Sequence, residues 1–99
     1  MTRQETFKKI EEEIVREKAA TLGRAGERLE AALAEVAALG AAIDREADPR
    51  RRAGLLVEYE AARRQAANAR QILVIQREAI GLRQHRDVDR QFPEPPVRR

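Results

Sequence analysis

The chain has 99 residues and no cysteine, so it has room for one domain and excludes disulfides and thiolate metal sites. Only 3% of the residues are aromatic although 42% are hydrophobic, which excludes a thick globular core and favours thin helix–helix seams. The net charge of +3 is uneven, because residues 1–47 carry 8 basic and 10 acidic side chains whereas residues 48–99 carry 12 and 7. No apolar run approaches the roughly 20 residues of a membrane span, and the start does not resemble a signal peptide, so we expect a cytoplasmic protein.

The first predicted helix covers about residues 3–46. Its apolar residues recur at alternating spacings of three and four, which is typical of a helix that packs one face against another helix. The members of this first heptad seam are Leu22, Ala25, Leu29, Ala32, Val36, Leu39 and Ile43.

The N-terminal part of this helix departs from the strict heptad. Phe7, Ile10 and Ile14 open the seam, but a stutter separates them from its main part and is expected to unwind a supercoil locally. Gly23 and Gly26 follow the stutter, and each lowers the stability of a helix interior by about 1 kcal/mol relative to alanine. We expect a continuous helix here, with a close helix contact at Gly26.

A turn at residues 47–49 is predicted to separate the first helix from a second one over about residues 50–88. Asp48 suits the N-cap position, and Pro49 suits the first helical position, where its missing N–H is harmless. Residues 91–99 are rich in proline and arginine and are predicted to form an extended or disordered tail. The second heptad seam consists of Leu55, Tyr59, Ala62, Ala66, Ala69, Leu73, Gln76 and Ile80.

Two long helices joined by a short break predict an all-α fold, a long antiparallel two-helix hairpin of coiled-coil type within residues 1–90. A turn centred near Asp48 pairs residues whose numbers sum to about 97, so that Val36 faces Ala62. A helix of about 40 residues spans roughly 60 Å, and the predicted molecule is therefore a rod.

The predicted hairpin leaves apolar surface without a partner. Residues 72–75, Ile-Leu-Val-Ile, are apolar on every face of the second helix, and a helix that is apolar all round is normally buried. One neighbouring helix covers only one face, so the economical solution is a homo-oligomer, with a dimer favoured, that forms a four-helix bundle. This surface predicts a small interaction or scaffold protein, which can also bind an unidentified protein partner. The predicted oligomer interface contains Ala34, Ala38, Ala41, Ile72, Ile75, Ala79 and Leu82.

Arg63, Arg70 and Arg77 recur every seven residues on another flank of the second helix. Arg63 has Glu60 three residues away, whereas Arg70 and Arg77 have no carboxylate within reach on their own helix. One interpretation is that glutamates of the first helix, or of a second subunit, pair with this stripe. The alternative is that the stripe binds phosphates, which makes the protein an RNA- or DNA-binding helical-hairpin dimer.

The sequence contains no catalytic constellation. His85 is the only histidine, so neither a histidine-rich metal site nor a catalytic triad can be assembled. Glu11, Glu12 and Glu13 are adjacent in sequence and are expected to form a solvated face rather than an acid–base pair in a pocket. We therefore predict no enzyme activity, no catalytic residue, no metal and no cofactor.

Two segments, Arg16–Leu33 and Gln76–His85, resemble the two sequence blocks of a small bacterial family of uncharacterised helical proteins. They cover under a third of the chain. The resemblance implies two helices and no catalytic residues. Residues 92–99 depart from the apolar C-terminal segment of that family, so the resemblance gives no docked position for the tail.

Overall fold

A computed structural model describes all 99 residues. Its regular secondary structure consists of three helices: α1 is Arg3–Arg45, α2 is Pro49–Ala79 and α3 is Arg86–Gln91. The helices α1 and α2 pack against each other as the predicted antiparallel hairpin. The molecule measures 71 × 24 × 15 Å and has a radius of gyration of 19.3 Å, against about 13 Å for a compact chain of this length. None of the helices combines the length and the apolar character that crossing a membrane requires.

Side-chain caps fix where the two long helices begin. Thr2 and Glu5 form a capping box at α1, in which the Thr2 hydroxyl accepts from the Glu5 backbone N–H at 3.1 Å and Glu5 accepts from the Thr2 backbone N–H at 3.2 Å. At α2, the Asp48 carboxylate accepts from the Arg51 backbone N–H at 3.0 Å, and Pro49 is the first helical residue. Such caps stabilise a helix end by about 1 kcal/mol, because they satisfy N–H groups that have no partner within the helix.

The predicted seams form the core, in two clusters along the hairpin. The cluster near the turn contains Val36, Ile43, Tyr59, Ala62 and Ala66. The distal cluster contains Ala25, Leu29, Leu73 and Val88, of which only Val88 lies outside the predicted seams. Full burial of a side chain such as Leu29 or Ile43 contributes about 1.5–3 kcal/mol.

The predicted end of the second helix near residue 88 is wrong, because α2 ends at Ala79. Gly81 has a φ of 93°, a left-handed conformation that glycine adopts without steric cost. The Gly81 N–H donates to the Glu78 carbonyl at 3.0 Å, and the Leu82 N–H donates to the Arg77 carbonyl at 2.9 Å. These two bonds form a Schellman motif, which ends the helix and reverses the chain.

Residues 86–99, named the strap below, fold back over the hairpin. The strap begins with α3, whose Val88 is 3% exposed in the distal core cluster. From Pro93 onward the strap has no helix, which agrees with the extended tail that the prolines predict. Its docked position was not predicted, and residues along its whole length contact α1 or α2.

The N-terminal part of α1 extends beyond the hairpin. Leu73 packs beside Ala25 and Leu29, and α2 ends six residues later, so it does not reach the first turns of α1. Residues 1–20 are therefore all exposed, and residues 3–20 are named the overhang below. The helix is continuous through the glycines, but the predicted close contact at Gly26 is wrong: a Cβ added there meets nothing within 4 Å.

Candidate interaction surfaces

Every residue of the predicted oligomer interface is exposed in the single chain. On α2, Ile72 is 37% exposed and Ile75 is 55% exposed, and Leu82 in the turn that follows is 43% exposed. The α1 residue Ala34 also lines the groove beside the strap, so the strap passes along part of the α1 surface that was predicted to face a second subunit. The exposed set is Ala34, Ala38, Ala41, Ile72, Ile75, Ala79 and Leu82.

The overhang adds an apolar stripe that the predicted interface did not include. Phe7 is 63% exposed, Ile10 is 50% exposed and Ile14 is 49% exposed, and these residues continue the face that packs on α2 further along α1. The seam pattern had identified all three as apolar contact positions. Their lack of a partner was not predicted, because the second helix was expected to be about nine residues longer than α2 is.

The arginine stripe is paired with carboxylates of the strap. The predicted pairing with glutamates of the first helix is wrong, and pairing with a second subunit stays a prediction. The strap runs antiparallel to α2 and brings its own acidic residues to the stripe in reverse order. The pairs are Arg77 with Asp87 at 3.0 Å, Arg70 with Asp89, and Arg63 with Glu94 at 3.5 Å. Arg63 also pairs with Glu60 at 3.1 Å, the partner that their three-residue spacing predicts.

Arg77 holds the turn that leads into the strap. Its side chain donates to the Gln84 carbonyl at 3.1 Å, to the Asp87 carboxylate and, through Nε, to Nδ1 of His85 at 3.2 Å. His85 Nε2 lies 3.1 Å from Oε1 of Glu78. Desolvation raises the pKa of Asp87, but the positive charge of Arg77 and the hydrogen bonds from Arg77 and from the backbone N–H groups of Asp87 and Val88 together outweigh it and hold that pKa below its usual value. His85 thus acts as a structural link between α2 and the strap.

The far end of the strap is fixed by Arg98. Its guanidinium donates to the Asp44 carboxylate at 2.7 Å and lies 5.5 Å from the centroid of the Tyr59 ring, over Gly40. The Tyr59 hydroxyl donates to the Pro96 carbonyl at 2.7 Å. The hydrogen bond from Arg98 lowers the pKa of Asp44, and the same bond raises the pKa of Arg98. No short-range sequence signal joins residues that lie 54 positions apart.

The surfaces therefore offer binding chemistry of two kinds, apolar helix faces and a groove filled by the strap. No three His, Cys, Asp or Glu side chains come together in a way that could hold a metal ion. Comparison with protein-family models, with curated proteins and with solved structures found no match.

Proposed function

We propose that the protein is a small helical interaction module that self-associates, with a dimer as the favoured state. The observation that carries the proposal is the apolar stripe of the overhang, where Phe7, Ile10 and Ile14 have no partner within the chain. Single exposed apolar residues are normal on a soluble protein, whereas a stripe in heptad register along a helix is the pattern of a helix–helix interface.

Burial of the overhang stripes alone leaves a dimer little free energy to spare. Burying Phe7, Ile10 and Ile14 from about half exposure contributes roughly 1 kcal/mol each, since full burial of such a side chain contributes about 1.5–3 kcal/mol. Association itself costs at least about 4 kcal/mol in lost translational and rotational freedom. A symmetric dimer buries each patch twice, so the two overhangs contribute roughly 6 kcal/mol, only slightly more than this minimum cost, and Ile72, Ile75 and the alanine face increase the margin. A four-helix arrangement that joins both patches is therefore the favoured form of the dimer.

Nucleic-acid binding is the less supported function. Arg63, Arg70 and Arg77 each pair with a carboxylate, so a phosphate has to displace the strap before it reaches the stripe. Binding to nucleic acid through arginines loses affinity steeply with salt, and comparison at roughly 50 and 200 mM salt distinguishes it from apolar self-association. A structure-selective RNA complex that survives the higher salt would favour this alternative over the interaction module.

Two charge substitutions and a matched control test the proposed surfaces. Ile10→Glu places a charge in the overhang stripe, and Ile75→Glu places one in the α2 face. Val57→Glu is the control, because Val57 is an apolar α2 residue that is 72% exposed and lies outside both patches. Light scattering after gel filtration should show smaller assemblies for the first two variants only, with helicity retained by circular dichroism. Wild-type mass in both Ile10→Glu and Ile75→Glu would contradict the proposal.

A further inference from the structure

The strap occupies a groove that recognises it by side chain. The groove, named the strap groove, is lined by Leu33 and Gly40 of α1 and by Tyr59 and Arg63 of α2. Within it, Phe92 packs against the distal core cluster, Tyr59 donates to the Pro96 carbonyl, and Arg98 is held between the Asp44 carboxylate and the Tyr59 ring. These contacts select an aromatic side chain and a guanidinium in a fixed order, with a backbone carbonyl between them that accepts a hydrogen bond.

The strap is held weakly in comparison with the two long helices. Val88 is its only buried residue, whereas Phe92, Pro95 and Arg98 are half-buried and its other residues are exposed. Its ion pairs are largely solvated, with the Asp44 side chain 63% exposed, and exposed pairs contribute little to stability. A segment with so few buried contacts opens locally at a small fraction of the free energy of global unfolding.

The groove is also wider than the strap that fills it. Open clefts of about 620 and 640 Å³ flank the strap on its α2 side and its α1 side, and Leu33, Phe92 and Pro93 line both of them. Proline-rich segments lose little chain entropy when they bind, because the proline ring already fixes φ. A competing segment of the same chemistry therefore has room to bind. It loses less conformational entropy on binding than an ordinary peptide does.

We propose that the strap groove is a binding site for an extended segment of a partner protein, and that the strap is its built-in competitor. The partner segment carries an aromatic residue, then prolines, then an arginine two residues beyond the last proline, as in Phe92–Arg98. The strap itself defines this chemistry, because it is the segment that the groove holds in the structure. The proposal rests on the interaction role proposed above, and the strap groove shares only Ala34 with the residues proposed for self-association.

A peptide of residues 86–99 with an N-terminal fluorophore is the probe, and fluorescence anisotropy measures its binding to full-length variants. Arg98→Ala weakens the internal strap and leaves the groove intact, so it should raise the affinity for the wild-type peptide severalfold. Arg99→Ala is its control, because Arg99 forms no ion pair, and it should bind the peptide as the wild type does. The difference between the two variants is expected because a docked strap lowers the fraction of protein whose groove is free to bind the peptide.

A second substitution separates groove binding from general opening of the fold. Asp44→Ala removes the groove's partner for the arginine of the peptide, so the double variant Asp44→Ala/Arg98→Ala should bind more weakly than Arg98→Ala. Glu35→Ala is the matched control on α1, since Glu35 is exposed and forms no ion pair. Equal peptide affinity in the wild type and Arg98→Ala, or no loss in the double variant, would overturn the proposal.

Oligomer measurements on the same variants keep the two proposals apart. Loss of the dimer in Arg98→Ala alone would show that a second copy's strap occupies the groove, and would overturn the assignment to a partner protein. Ile10→Glu should bind the peptide as the wild type does, whatever its oligomeric state. The peptide-binding proposal can therefore be tested independently of the self-association proposal.

Discussion

Arg98 forms an ion pair with Asp44 at 2.7 Å, and it thereby joins the end of the strap to the last turn of α1. Three carboxylates of the strap pair with the arginines of α2, so the strap contacts both helices of the hairpin. The stripe that suggested a phosphate site in the sequence is thus the surface that positions the strap.

Tyr59→Phe should loosen the strap without disturbing the hairpin. The ring of Tyr59 is 2% exposed and stays in the core, whereas the lost hydroxyl donates to Pro96 at 2.7 Å. A hydrogen bond of this kind contributes about 0.5–1.5 kcal/mol. Hydrogen exchange should become faster at amides of the strap and stay unchanged at amides near Val36 and Ala62. Equal acceleration in both regions would show that the strap and the hairpin open together.

Leu29→Ala should be the most destabilising single truncation in the distal cluster. Leu29 is 1% exposed and packs with Leu73, Ala25 and Val88, so alanine leaves a cavity at the point where α1, α2 and the strap meet. The expected loss is about 2–5 kcal/mol, measured by urea unfolding. Val57→Ala, at a position 72% exposed, is the control and should lie within about 0.5 kcal/mol of the wild type.

Acid should release the strap. Arg98 lowers the pKa of Asp44, and Arg77 lowers that of Asp87 against desolvation. A carboxyl whose pKa is depressed by folding stabilises the folded state above its unfolded pKa, about 4, and this contribution disappears as the pH falls through the folded pKa. Tyr59 is the only tyrosine and the chain has no tryptophan, so its fluorescence reports the docked strap directly. Emission should be constant from pH 7 to about pH 5 and change below about pH 4. A transition centred above pH 5 would exclude these carboxylates as its cause.

Gly23→Ala and Gly26→Ala should both stabilise α1. A Cβ at either position meets nothing within 4 Å, and both residues lie inside a continuous helix. Alanine raises helix stability by up to about 1 kcal/mol at each position, because it has less conformational entropy to lose in the unfolded chain. The thermal midpoint of each variant checks this result. A lower midpoint for Gly26→Ala would show that a second molecule packs against that position.

The periodic part of the fold was predictable from the sequence. Spacings of three and four identified the core face of both helices, and Asp48-Pro49 identified the start of α2, because these signals depend only on neighbouring residues. Ile80 is exposed because α2 ends before it, and Phe7, Ile10 and Ile14, which open the first seam, are exposed because α2 does not reach them. The signal for that end was present in Gly81 followed by apolar Leu82, the pattern of a Schellman cap.

The strap could not be predicted by the same means. Its contacts join residues far apart in the chain, such as Tyr59 with Pro96 and Arg98 with Asp44. Each contact depends on the direction in which the turn after α2 sends the chain. Because the predicted end of α2 was nine residues too late, the direction of the strap could not be predicted. Arg70 and Arg77, which lack a carboxylate on their own helix, were the only local indication that acidic residues had to come from elsewhere.

Sedimentation equilibrium of the wild-type chain at micromolar concentration tests the central claim, that the apolar faces of this rod bind a second copy. The claim predicts at least twice the chain mass of 11.2 kDa, with little change on raising the salt concentration because the buried contacts are apolar. A mass of 11.2 kDa with full helicity, across that concentration range, would contradict it.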